Sequence, residues 1–285
     1  MDAIIQTLFK SDLFEIKDFV CQCTECGFSG VEYQDRFSIC YIRRGSFLFS
    51  IFKEDLECFN GRFLLNKPGY THRVKHYHTQ PDQCFIISFS TDFYNRIKET
   101  YLTALNGFLK KADSQSLMLN SFIETEYIIY RLRQLLTVND PDTLEIEGMV
   151  LDLIEQLFIS NPLSKNEIIS ENSKISYLPR IEKTKEYIQE NFSGNITIDG
   201  LAEISCMSPF HFYRTFKRIT QLSPYQYLLN FRINHAEYLL RSTDEPITSV
   251  GWLSGFNSPD HFSYAFKATT GTSPINYRKK TQQEF

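Results

Sequence analysis

The sequence predicts a two-part α+β chain: a barrel of short strands backed by helices, then an all-α part in which two helix-turn-helix units are joined by a long helix. Three observations predict it. Residues 208–227, SPFHFYRTFKRITQLSPYQY, return fifty positions later at 258–277 as SPDHFSYAFKATTGTSPINY, with ten identities and no gap. Such a repeat is one supersecondary unit used twice. Residues 14–89 break into short β-prone runs punctuated by Gly30, Gly45, Gly61 and Pro68-Gly69. After Asp92 the apolar residues recur at helical spacing instead.

A length of 285 residues fits about two domains. The expected division is 1–160, a polar linker at 161–179, and 180–285. The 42% hydrophobic composition supports packed cores, and no run of eighteen apolar residues occurs that could span a membrane. Residues 1–9 lack the basic start and apolar core of an export signal, and seven cysteines then read as reduced thiols, so the expected location is cytoplasmic.

The strand-like runs are 14–23, 37–42, 46–52, 56–59, 62–66 and 84–89. Many short strands with turns at this spacing make a small barrel or jelly roll. Helices are expected near 91–110, 117–136 and 143–160. In the last, Val150, Leu153, Ile154, Leu157 and Phe158 recur at threes and fours. That seam either packs on its own barrel or meets a second copy in a homodimer.

Each repeat copy opens with Ser-Pro. Ser208 and Ser258 can cap a helix, and Pro209 and Pro259 suit its first position. With Phe212, Phe216 and Ile219 buried, Phe210, Tyr213, Arg214, Lys217 and Arg218 fall on or beside the outward face. In the second copy Phe262 and Phe266 are buried, and Asp260, Ser263, Tyr264 and Lys267 point outward. Shorter apolar segments, 198–204 and 247–253, precede the copies. Short helix, tight turn and second helix make a helix-turn-helix unit, whose second helix enters the major groove of DNA. A helix started by Ser223-Pro224 runs to Arg241 and spans about 30 Å at about 1.5 Å per residue. Successive major-groove faces on one side of B-DNA lie about 34 Å apart, so the spacing points to duplex DNA.

Leu201-Ala202, Met207-Ser208-Pro209, Arg214, Phe216-Lys217, Arg232, Ala236, Leu239-Leu240, Ile247, Gly255-Phe256, Phe262, Phe266-Lys267, Gly271, Ser273-Pro274 and Tyr277-Arg278 resemble the AraC/XylS-type regulator domain. The resemblance covers roughly the last hundred residues. It implies a sequence-specific transcription factor with units near 198–220 and 247–270, bound to double-stranded DNA and working with RNA polymerase. The outward residues just named, with Ser208 and Ser258, are the expected DNA-binding set. Gln221 and Cys206 stand where the family has Gly, Gly251 where it has Ala, and Tyr264 where many members have Arg. The first part, on its strand rhythm and on Pro68-Gly69-Tyr70-Thr71-His72, is similar to cupin-type sensing domains. That similarity implies a small-molecule effector inside the barrel and dimerisation through the helices.

The formal charge of −4 divides unevenly: residues 180–285 carry 12 Lys and Arg against 10 Asp and Glu, and residues 1–179 carry 18 against 24. A balance this modest leaves phosphate attraction to placed residues such as Arg214, Lys217, Arg218, Lys267 and the run Arg278-Lys279-Lys280.

His72, His76 and His78 invite a metal reading, since His at alternate strand positions shares a face. A catalytic cupin, however, carries His-x-His and Glu in an earlier strand, and 39–46 has no histidine. The expectation is three solvated histidines, with no metal, no cofactor and no catalytic residue. Cys21, Cys23 and Cys26 form C-x-C-x-x-C, which suits a thiolate metal or redox site, with Cys84 or Cys40 as partner. The preferred reading is apolar packing inside the barrel. His211 and His261, each one residue before a buried Phe, are expected to be structural or to touch phosphate. The main reading is a DNA-binding regulator and not an enzyme. The alternatives are a cupin-type metal-dependent enzyme fused to a DNA-binding domain, and a ligand-independent regulator controlled by abundance or a protein partner.

Overall fold

The computed structural model describes residues 3–23, 27–52, 54–76, 82–138, 140–160 and 176–283. The chain divides into two compact units, Met1–Ile175 and Ser176–Phe285. Residues 161–175 of the expected linker, and Cys26, Tyr77 and His78, lie outside the described residues.

The described strands of the first unit are β1 Ala3–Lys10, β2 Phe14–Cys21, β3 Glu32–Gln34, β4 Ser38–Arg44, β5 Ser46–Ile51, β6 Glu54–Phe59, β7 Arg62–Asn66, β8 Tyr70–His76, β9 Gln83–Phe89 and β10 Ser116–Asn120. They form a six-stranded sheet in the order β1-β2-β9-β4-β7-β10 and a four-stranded sheet in the order β3-β8-β5-β6. The registered strand pairs are antiparallel.

Side-chain alternation along β4 explains the layers. Ile39 and Tyr41 join the core shared with the helices, while Cys40 and Ile42 join the core with β5 and β8 of the other sheet. The larger sheet is thus covered on both faces, which is why β4 reads as a continuous apolar run.

Helices α1 Thr91–Thr100, α2 Ile123–Leu135 and α3 Thr143–Glu155 cover the outer face, with a π-helical turn at Gln156–Ser160 extending α3. Asp142 caps α3 by accepting from the amides of Leu144 and Glu145 at 2.8 and 3.4 Å. The expected helix 91–110 stops at Thr100, and Leu105 and Asn106 take left-handed φ of 50° and 55°. The expected helix 117–136 begins as a strand, because residues 116–120 complete the sheet edge against β7, with Leu117 opposite Leu65 and Leu119 opposite Phe63. Ladder bonds and burial there outweigh the helix preference of Leu and Met. The seam Val150, Leu153, Ile154, Leu157 and Phe158 is filled by this unit's own core.

The second unit contains α4 Leu178–Asn191, α5 Ile198–Ile204, α6 Pro209–Thr220, α7 Pro224–Ser242, α8 Ile247–Leu253, α9 Pro259–Thr270 and α10 Pro274–Gln283. Nearly every identity in the repeat has a structural use. Phe212 and Phe216 sit 5.5 Å apart, centroid to centroid, as Phe262 and Phe266 do at 5.6 Å. Tyr227 then meets Phe216 at 5.6 Å, and Tyr277 meets Phe266 at 5.4 Å. Thr220 Oγ1 donates to the carbonyls of Phe216 and Leu222, and Thr270 Oγ1 does the same to Phe266 and Thr272. Ser223 and Ser273 cap the helices that follow, accepting from Gln226 and Asn276 amides at 3.2 and 3.3 Å. Pro at the first helical turn of α6, α7 and α9 needs no hydrogen-bond partner there.

Both units turn through left-handed residues at equivalent places. Cys206 (φ 52°) matches Gly255 (φ 82°), and Gln221 (φ 62°) matches Gly271 (φ 77°). A Cβ on Gly255 would lie 2.8 Å from the Phe192 carbonyl oxygen, so only glycine fits. Cys206 holds the same conformation with a side chain. Left-handed backbone costs a non-glycine residue about 1–2 kcal/mol, and glycine loses about 0.5–1 kcal/mol through unfolded-state entropy. Urea unfolding of the second unit should therefore show Cys206→Gly to be neutral or stabilising by up to about 1 kcal/mol, and Gly255→Ala to be destabilising. A clear loss of stability in Cys206→Gly would refute strain at that turn.

Candidate nucleic-acid interface and sensor cavity

Most positions at which α6 and α9 differ lie on their outward faces, the buried pair Thr215 and Ala265 excepted. Phe210 is 71% exposed, Tyr213 41% and Tyr264 76%. Arg214, Lys217, Arg218, Asp260, Ser263 and Lys267 are exposed beside them. The Arg214 guanidinium lies 5.6 Å from the centroid of the Phe210 ring, a cation–π contact that limits its rotamers without consuming its donors. Arg218 stacks over Tyr177 at 5.8 Å and is directed back toward α4. Ser258 Oγ accepts the His261 amide at 3.1 Å, whereas Ser208 sits at the same cap position without a side-chain cap bond. His211 meets Tyr177 edge-on at 5.3 Å and His261 meets Phe256 edge-on at 5.4 Å, so both brace their helix starts.

Sequence reasoning missed Tyr177 and gave Arg232 no structural role. Tyr177 holds both His211 and Arg218, and its signal was an aromatic residue just ahead of a Leu-Pro helix start. Arg232 ties α7 to the chain after α4, donating to the carbonyls of Phe192 and Gly194 at 2.8 Å each. Burial lowers its pKa from the usual arginine value.

In the first unit a cavity of about 300 Å³ opens between the two sheets. Phe19, Phe47, Phe49, Leu64, Val74 and Ile86 supply its apolar lining, and Glu32, Ser38, Asn66, His72, His76 and Asp82 its polar lining. His72 stacks on Phe49 at 4.5 Å and lies 3.8 Å from Glu32. Burial lowers the His72 pKa, against the pull of Glu32. His72 Nδ1 and Glu32 Oε1 are buried without a hydrogen-bond partner among the described residues. Asn66 also joins Tyr70 and Ser116 in a buried network, with Tyr70 Oη 2.7 Å from Ser116 Oγ. Burial pushes the Tyr70 hydroxyl up to about 12. An apolar pocket with a few convergent polar groups suits a small molecule.

For His72 and His76 the structure overturns the solvated expectation. His76 is 4% exposed and paired through Nδ1 with Asp82 Oδ2, and the His72 side chain is largely covered. Both are drawn inside by β8, a strand outside the runs expected from the sequence. The expected strand 14–23 ends at Cys21, so Cys23 stands beyond it. Cys21, Cys23 and His76 nevertheless come together, their ligand atoms all within 4.8 Å of one another. Burial pushes the Cys21 thiol up to about 11. Cys40, Cys58 and Cys84 are buried in the core between the sheets; of the cysteines expected to pack inside the barrel, Cys21 is buried and Cys23 half-buried.

The helix-turn-helix domain family matches residues 201–280, from Leu201 in α5 to Lys280 in α10. The second unit is an AraC-type helix-turn-helix domain. The arabinose operon regulatory protein of Escherichia coli K12 is 30% identical over 139 residues, covering 48% of this chain and 46% of that protein. The bifunctional transcriptional activator/DNA repair enzyme AdaA of Bacillus subtilis is 30% identical over 113 residues, 40% of this chain and 54% of AdaA. The HTH-type transcriptional regulator YdeC of B. subtilis is 22% identical over 263 residues, covering 89% of this chain and 87% of YdeC. The chain thus spans about half the length of the first two relatives. Within the AraC-type domain, the family match takes in both helix-turn-helix units and the α7 connector. No helix among the described residues is long and apolar enough to cross a membrane.

The cavity carries a pH dependence. Because the folded-state pKa of His72 lies below its usual 6.5, the unfolded chain binds more protons between the two values, and stability falls as pH drops through 6.5. Thermal unfolding of the first unit between pH 7.5 and 5.5 should show this loss, and His72→Gln should reduce it. An unchanged slope in the variant would mean that other groups set it.

Proposed function

We propose that the chain is a sequence-specific transcription regulator that reads duplex DNA through α6 and α9, with most of the base discrimination supplied by α6. The carrying observation is the division of the repeat: the shared Phe, Thr, Ser, Pro and Tyr build the frame, and most differing residues of α6 and α9 lie on the exposed faces beside the shared Lys217 and Lys267. Arg214 suits a bidentate contact with guanine O6 and N7, and Phe210 and Tyr213 offer apolar contact with thymine methyls. Asp260 is repelled by phosphate unless it accepts from cytosine N4 or a Lys, and Ser263 and Tyr264 add no cation. Hence α9 serves chiefly to dock on the backbone and fix register. Ser208, Ser258, Lys217, Arg218 and Lys267 belong to the phosphate-facing set. The α7 helix, 19 residues long, spans about 29 Å at about 1.5 Å per residue, near the repeat of the groove.

In this reading the first unit is the sensor and its cavity takes a small molecule with an apolar body and a polar group for Glu32 and His72. The chain works in the cytoplasm, with RNA polymerase and a second copy of itself as protein partners, and as a regulator without catalysis. The regulators among its relatives support that reading.

Arg214→Ala should lower the ratio of cognate to scrambled-duplex affinity by the equivalent of about 1–3 kcal/mol, measured by titration at one fixed salt concentration. An unchanged ratio, with both affinities reduced alike, would reassign Arg214 to a phosphate.

A further inference from the structure

The C-x-C pair and His76 lie outside the DNA-reading surface, and their placement suits a different ligand. Cys21 ends β2 of the six-stranded sheet, and Cys23 follows two residues later. His76 ends β8 of the four-stranded sheet. The two Sγ atoms and an imidazole nitrogen all lie within 4.8 Å of one another. Tetrahedral Zn–S bonds of about 2.3 Å put sulfurs roughly 3.8 Å apart, so small side-chain rotations bring the three groups onto one ion. We propose that Cys21, Cys23 and His76 bind a thiophilic divalent cation of the zinc class, tying the two sheets together at one end of the sensor cavity.

Five features beyond proximity support a built site. His76 Nδ1 pairs with Asp82 Oδ2 in a buried contact, and Asp82 is 1% exposed. A carboxylate on one ring nitrogen fixes the tautomer that offers Nε2 to a metal, the usual outer-shell partner of a metal-bound histidine. Asp82 Oδ1 is itself buried without a hydrogen-bond partner among the described residues. The Cys23 amide donates to Cys21 Sγ at 3.4 Å, a bond that favours the thiolate. Gly45 makes room for the carboxylate, since a Cβ there would lie 2.0 Å from Asp82 Oδ1, and the Cys21 amide donates to the Asp82 carbonyl at 2.9 Å.

Two thiolates and an imidazole are soft and borderline donors, a set that selects zinc-class ions over magnesium or calcium. Binding forms two metal–sulfur bonds and one metal–nitrogen bond and releases the two thiol protons, with no change of oxidation state. Three protein ligands leave a fourth position for water or another donor. His76 and Asp82 also line the cavity, so the ion and a cavity ligand share one wall.

The test uses the full chain, reduced and stripped with a chelator, then titrated with Co²⁺ and back-titrated with Zn²⁺. The expected result is one equivalent of cobalt with a thiolate-to-metal charge-transfer band in the near ultraviolet, a band abolished by zinc, and a higher unfolding temperature with zinc. Cys23→Ser, at a partly exposed position, should lose the band. His76→Gln provides a second ligand variant should Cys23→Ser fail to fold, as judged by circular dichroism. Asp82→Asn should keep the band but weaken binding about 10–100-fold, and Cys206→Ser, in the other unit, should bind as wild type. A folded wild type that shows no thiolate band, or a band that survives in a folded Cys23→Ser or His76→Gln, overturns the site. Duplex affinity measured alongside judges the DNA-reading proposal separately.

Discussion

Three rings hold each of α6 and α9 to the helix after it, and the geometry of their outward faces depends on them. Phe212 and Phe216 bury one face of α6 and close on Tyr227 of α7, while Phe262 and Phe266 do the same for α9 with Tyr277 of α10. Full burial of a Phe side chain contributes about 1.5–3 kcal/mol, and the tilted and edge-on ring pairs add about 0.5–1.5 kcal/mol each. With one face committed to the core, the opposite face is committed to solvent. The Thr220 and Thr270 hydroxyls and the Ser-Pro caps then fix where each helix stops and the next begins.

The first unit is organised by a different constraint, the coverage of both faces of its larger sheet. Helices fill one face so completely that the seam of α3 is consumed within the chain. The smaller sheet covers the other but leaves a cavity, and polar groups on β3 and β8 project into it. Those groups are costly to bury unless satisfied. Glu32, His72 and Asp82 each keep a buried atom without a partner among the described residues, which a ligand would relieve.

The repeat was legible because its signals are local: caps, first-turn prolines and buried rings occupy fixed offsets, and the two copies check each other. The left-handed Cys206 and Gln221 were visible only as departures from a resemblance, and their strain required coordinates. In the first unit the strands near 38–44, 46–51, 62–66 and 83–89 announced themselves by β-branched and aromatic runs. Strand β10 did not, since Leu and Met favour helix until a sheet edge claims them. The meeting of Cys21 and Cys23 with His76 was hidden for the same reason. Strands distant in sequence must pair before the donors share a place, and neither the C-x-C spacing nor the histidines carried that information alone.

The central claim is that shared residues build two frames while the differing residues divide the reading of DNA unequally. A base-by-base substitution scan across a selected binding site tests it most directly. Two sensitive segments about one helical turn apart are expected, with mismatches under α6 costing about 1–3 kcal/mol each and those under α9 clearly less. Equal penalties in both segments would show that Asp260, Ser263 and Tyr264 read bases as well as Phe210, Tyr213 and Arg214, and would contradict the account.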